Sequence, residues 1–175
     1  MSAIYRDTHH AVVRAMAVDA ISDVATSWWQ SQYKSGYVES LTMRNSNTER
    51  LTKQERITQD CMTRARIHKA SAKSSFYAIT AKYGAEDKER AQAVNELVKL
   101  VVCDGVSDDF KRLAIWSWAS VNIKKGMMER LVNICEKSRR TFFRKKKIII
   151  EQLDKFENAA KTDCDVVLSG LVIGE

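Results

Sequence analysis

Apolar residues recur along this chain at helical spacing, and stretches without period separate them. Over 11–29 the apolar positions are Val13, Ala17, Ala20, Ile21, Val24 and Trp28, one stripe of a helix that Trp28 and Trp29 close against a core. The next twenty residues, 31–50, are rich in Ser, Asn, Thr and Gln, hold Gly36 and show no period, which predicts a polar connector. Thr52 followed by Glu55 has the spacing of a capping box. It opens a helix whose face carries Ile57, Cys61, Ala65, His68 and Ala72 and which runs to Tyr83, with Gly84 as its stop. A further helix over 86–103 begins with Glu86, Asp87 and Glu89, suited to the positive end of a helix dipole, and shows Ala91, Val94, Leu97, Val98, Val101 and Val102 on its apolar side. Asp104-Gly105 is a turn signal. Ser107 then caps a helix with Asp108 and Asp109 in its first turn and Phe110, Leu113, Ala114, Trp116, Trp118 and Val121 as apolar positions. After Thr162 the run Val166, Val167, Leu168, Ser169, Gly170, Leu171, Val172, Ile173 fits a short strand or a docking segment.

These elements make the expected fold all-α, a helical bundle with a C-terminal helix-turn-helix. The expected organisation is an N-terminal helical region over 1–104 with its connector near 31–50, a helix-turn-helix region over 105–161, and an apolar tail over 162–175. Composition agrees: 45% of the 175 residues are hydrophobic, enough for a core, and there is no proline, which favours helices joined by short links.

Charge changes the picture more than composition does. The formal net charge is +7, with a pI near 9.3. Between Val121 and Lys161 stand twelve Lys/Arg and five Asp/Glu, and the remainder of the chain holds seventeen of each. The whole excess therefore lies in one segment of a neutral body, the pattern of an electrostatic footprint for phosphate.

Within that segment, 131–153 reads LVNICEKSRRTFFRKKKIIIEQL. Leu131, Val132 and Cys135 supply the end of a first helix, Glu136-Lys137 a turn, and Ser138 an N-cap for a second helix. Thr141 and Phe142 then enter the core side, followed by Ile149, Leu153 and Phe156. On the opposite face Arg140, Phe143, Arg144 and Lys147 follow i, i+3, i+4, i+7 spacing and project together. A helix with this face fits the major groove of duplex DNA. Arg139 and Arg140 in its first turn would read guanine, and Lys145, Lys146 and Lys147 would neutralise phosphates. The expected DNA-binding residues are thus Ser138, Arg139, Arg140, Thr141, Phe143, Arg144, Lys145 and Lys147.

The stretch SRRTFFRKKKIIIEQL resembles the recognition helix of sigma-region-four-like domains in bacteriophage late-gene regulators, among them Q-type antiterminators and autolysin-regulator-type activators. The shared features are a motif near the C-terminus, a Ser-x-x-Thr-aromatic start and a basic continuation, and Trp28-Trp29 before a polar stretch is similar to the front of some antiterminators. The chain departs from the pattern at Glu136, where a turn glycine is common, and at Lys146, where a core aliphatic is common. The resemblance implies a sequence-specific DNA-binding transcription regulator, an antiterminator or activator, with RNA polymerase as its protein partner. A DNA-binding packaging factor of the small-terminase kind and a DNA-processing enzyme are the alternatives.

Other chemistry finds little support. The four cysteines, Cys61, Cys103, Cys135 and Cys164, have no close pair of the zinc-ligand kind and read as reduced structural thiols. His9 and His10 point to different sides of a helix, so a shared metal is not expected. Phosphate loops, nucleophile elbows and His-x-x-x-His pairs are missing from the sequence. Asp108 and Asp109 are explained as helix-start charges, and Trp28, Trp116 and Trp118 as core rather than a base-stacking platform. Arg64, Arg66, Lys69 and Lys73 form a second basic strip, mixed with Glu55 and Asp60, that fits a solvated face or a secondary DNA contact. The expectation is a non-enzyme with no metal or cofactor. Without a membrane-length apolar stretch or a signal-like start, the protein is expected in the cytoplasm.

Overall fold

The computed structural model describes residues 5–18, 52–120 and 139–172. The expected second half of the first helix (Ala20 to Trp29), the connector 31–50, Val121, and the first helix and turn of the expected motif up to Ser138 lie outside the described residues. Among the described residues there are six α-helices: α1 Thr8–Met16, α2 Lys53–Ala70, α3 Lys73–Tyr83, α4 Asp87–Leu100, α5 Asp108–Ala119 and α6 Arg139–Leu168. The fold is all-α. No helix among the described residues is long and apolar enough to cross a membrane.

Local chemistry starts several of these helices. Asp7 accepts from the His10 N–H (2.7 Å) at the start of α1. Thr52 and Glu55 form the expected reciprocal box, with Glu55 accepting from the Thr52 N–H at 2.7 Å and Thr52 Oγ1 from the Glu55 N–H at 3.3 Å. Ser107 Oγ accepts from the Phe110 N–H (3.3 Å) to open α5. Gly105 takes φ 66°, the left-handed conformation that the Asp104-Gly105 turn needs.

The expected helix from Thr52 to Tyr83 is two helices. Ser71 and Ala72 are both extended, with ψ near 146° and 151°, and they divide α2 from α3. The run Ala70-Ser71-Ala72 offers no large apolar side chain to hold the helix through a packed contact, and the break lets Ser75, Ala78 and Ile79 turn inward. The face expected on α2 also shifts. Cys61, Ala65 and His68 are exposed, whereas Asp60, Thr63 and Ile67 are buried. Asp60 and Thr63 tolerate burial because they are hydrogen-bonded: the Tyr5 hydroxyl lies 2.8 Å from Asp60 Oδ1 and 3.0 Å from Thr63 Oγ1, and Arg14 donates to Asp60 Oδ2 at 2.9 and 3.2 Å.

Two further expectations are corrected. The helix expected over 86–103 ends at Leu100, and 101–103 alternates as extended chain does, with Val101 and Cys103 buried and Val102 exposed. The Gln152 side chain holds this stretch, accepting from the Val102 N–H (3.1 Å) and donating to its carbonyl (2.7 Å). The tail after Thr162 is not a strand as far as Leu168, because α6 continues through it. Ala160, Cys164 and Leu168 prolong the stripe of Phe142, Ile149 and Leu153, while Val166 faces solvent. Beyond α6 the tail docks on the start of the chain: the Tyr5 N–H donates to the Leu171 carbonyl (2.9 Å), and Tyr5 and Val172 form an isolated parallel bridge.

Among the described residues two cores result, and α6 serves both. The first gathers Ala78, Val94, Leu97, Val98, Phe110, Ile115, Phe142, Ile149 and Leu153, with Phe110 and Phe142 edge to face at 5.7 Å. The second gathers Tyr5, Val12, Met16, Ile67, Ile79, Tyr83, Ala160, Cys164 and Leu168.

Candidate nucleic-acid interface

α6 is 30 residues long, about 45 Å at 1.5 Å per residue. From Arg139 through Lys147 it holds Arg139, Arg140, Arg144, Lys145, Lys146 and Lys147, with the first carboxylate at Glu151. The opening differs from those of α2, α4 and α5 and shares its lack of acid with those of α1 and α3. The first turns of α2, α4 and α5 hold Glu55, Asp87 with Glu89, and Asp108 with Asp109, whereas that of α6 is without acid. The dipole's positive end favours anions there, so the cations of this stretch stand against the helix's own field.

The expected face forms. Arg140, Phe143, Arg144 and Lys147 are all exposed, Phe143 at 48%, while Phe142, Ile149 and Leu153 on the other side are fully buried. Phe143 is placed by its own neighbour, edge to face with Phe142 at 5.0 Å. Lys147 lies 3.8 Å from Glu151, an exposed pair. Thr141 is half-buried beside this face, and Arg139 is the first residue of α6. Ser138 lies outside the described residues.

The lysine run divides. Lys145 turns away from the face and donates from Nζ to the Asp104 carbonyl in the α4–α5 turn. Lys146 is half-buried, and loss of water pushes its pKa down. Of the three, Lys147 is the one exposed on the face.

The tryptophans of α5 are engaged by the fold. The Arg90 guanidinium sits over Trp116 at 5.3 Å and donates to the Ala81 carbonyl, and Lys82 sits over Trp118 at 4.9 Å. Trp118 Nε1 donates to Asp154 (2.8 Å). In the second basic strip, Arg64 pairs with Glu89 at 2.6 Å, and Arg66, Lys69 and Lys73 are exposed.

Sequence reasoning missed a polar knot at the middle of α6. Glu157, 4% exposed, accepts from Lys82 (2.6 Å) and the Tyr83 hydroxyl (2.8 Å) and pairs with Lys161 (2.9 Å). Burial pushes this carboxyl up, but the donors outweigh it and hold it below its ordinary value. The available signal was Glu157 standing in the i, i+4 register of Leu153. Among the described residues no three His, Cys, Asp or Glu side chains come together to hold a metal. Compared with protein-family models, with curated proteins and with solved structures, the chain matches none.

Proposed function

We propose that this chain is a sequence-specific DNA-binding protein that presents the first turns of α6 to the major groove. The observation that carries the reading is the exposed face of Arg140, Phe143, Arg144 and Lys147 on a helix whose remaining length is anchored in two cores. Each side chain has a partner chemistry in duplex DNA. Arginine pairs bidentately with guanine O6 and N7, phenylalanine makes apolar contact with a thymine methyl, and lysine neutralises phosphate. In the resemblance already drawn, the biological role is that of a phage late-gene antiterminator or activator working with RNA polymerase.

The test is the salt dependence of duplex binding, followed by selection of bound sequences from a random duplex pool. Five to eight phosphate contacts give a slope of log affinity against log salt of about −4 to −7. A flat salt response, or a selected pool with no shared sequence, overturns the reading.

A further inference from the structure

Helices α1, α3 and α6 line a partly open cavity of about 150 Å³ on the side of the second core. A dry apolar cavity of this size in another protein accommodates benzene. The walls here are of that kind: Val12, Ile79, Ala160 and Cys164 are all buried. Burial pushes the Cys164 thiol up to about 12, so it keeps its proton and serves as a small apolar surface. Two rings meet at one side, His9 edge to face with Tyr83 at 5.4 Å. The Tyr83 hydroxyl is bound to Glu157, which leaves the ring as its contribution to the lining.

The entrance carries polar groups without net charge. Lys161 and Asp165 lie one turn apart on α6 with opposite signs, and Lys161 is already held by Glu157. With Lys161 so engaged, an anionic ligand would find no free countercharge there. Thr8, half-buried, lines the same space, and its hydroxyl is the side-chain donor and acceptor it brings there.

We propose that this cavity is a binding site for a neutral one-ring aromatic molecule bearing a single hydroxyl or N–H, with the ring between Val12, Ile79 and Ala160 and the polar group at Thr8. The site is separate from the basic face of α6, and it stands whether or not the chain binds DNA.

Phenol, benzene and benzoate titrated into the full chain test it, read by methyl resonances of Val12 and Ile79 and by thermal unfolding. Phenol is expected to shift those methyls saturably and raise the melting temperature, benzene to bind more weakly, and benzoate at least tenfold more weakly. Ala160→Leu fills the cavity and should cut phenol affinity at least tenfold, and Cys164→Met does the same from the neighbouring turn if the first variant does not fold. Thr8→Val should bring phenol down to the affinity of benzene. Absence of saturable shifts with phenol overturns the proposal, as do shifts that survive both filling variants. Benzoate binding as tightly as phenol overturns the ligand class, and benzene binding as tightly as phenol overturns the role of Thr8.

Discussion

Between Arg139 and Lys147, α6 carries six cations and no carboxylate, and it shows Arg140, Phe143, Arg144 and Lys147 to water. Between Ile149 and Leu168 the same helix buries Ile149, Leu153, Glu157, Ala160, Cys164 and Leu168 in one continuous stripe, and the buried Glu157 is met by three donors. One end is displayed and the other is held. The proposed duplex contact would need a backbone that does not move, because base-edge contacts demand closely placed side chains. The packed two-thirds of α6 supply that rigidity, and at the other end Phe142 and Lys145 serve the fold while Arg140, Phe143, Arg144 and Lys147 face water.

The sharpest way to break this contrast is to mutate each end and measure stability. Leu153→Ala deletes a fully buried side chain of the first core and should lower unfolding free energy by about 2–5 kcal/mol in a denaturant titration. Arg144→Ala at the displayed end should stay within about 0.5 kcal/mol of the parent. Equal effects from the two changes would erase the distinction.

Acid should loosen the held end next. α1 docks on it, and His10 of α1 is held down to about 4 from an ordinary 6.5, first by burial and then by Arg14. The Arg6 N–H points at His10 Nδ1 (3.4 Å), an arrangement suited to the neutral ring. The unfolded chain therefore takes up a proton at His10 between pH 6.5 and 4 while the folded one does not, and stability falls as pH falls through that window, by about 2 kcal/mol. Glu157 acts in the same direction further down: held below its ordinary value of 4.5, it contributes fully above that value and the contribution is lost as pH falls through the folded-state value. Melting curves at pH 7 and 4.5, compared between parent and His10→Gln, check this. The variant should lose much of the slope between pH 6.5 and 4.5, and an unchanged slope would remove His10 from the account.

Arg140→Ala sharpens the comparison from the displayed end. It should cost about 1–3 kcal/mol of affinity for the selected site and relax preference at one or two base positions, with the melting temperature unchanged. Intact affinity and preference in a folded variant would mean that the face does not read bases.

The displayed end was the more legible of the two. The core stripe Phe142, Ile149, Leu153 and the opposite face both follow from helical spacing, and their burial and exposure came out as the spacing requires. Spacing failed where polarity and burial part company. Asp60 and Glu157 look like surface residues by type, and only partners distant in sequence, Arg14 and Tyr5 for one, Lys82 and Tyr83 for the other, make them interior. The α2–α3 break was hidden for a related reason: Ser71 and Ala72 carry no strong stop signal, and the demands of the second core decide where the chain turns. The apolar tail misled in the opposite sense, since Val166 is apolar yet exposed and Leu168 closes a helical stripe rather than a strand.

The finest test lies inside the lysine run, where two neighbours two residues apart have opposite duties. Lys147 stands on the displayed face, 76% exposed, with a loose 3.8 Å pairing to Glu151 that contributes little in water. Lys145 is half-buried, and its ammonium holds the Asp104 carbonyl, tying the start of α6 to the turn before α5. If phosphate lies along the displayed face, Lys147→Ala should weaken binding about equally for all duplex sequences and lower the salt slope by roughly one unit, with stability unchanged. Lys145→Ala should do the reverse: the Asp104 carbonyl loses its donor, unfolding free energy falls by about 0.5–1.5 kcal/mol, and the salt slope stays where it was. Lys145→Met preserves the aliphatic stem while removing the donor, so its stability should match that of the alanine variant to within the packing of the stem. Measuring slope and stability for these variants in one buffer series separates the roles. A salt slope that drops in Lys145→Ala and holds in Lys147→Ala would invert the assignment and move the phosphate contact from the displayed face to the α4–α5 turn.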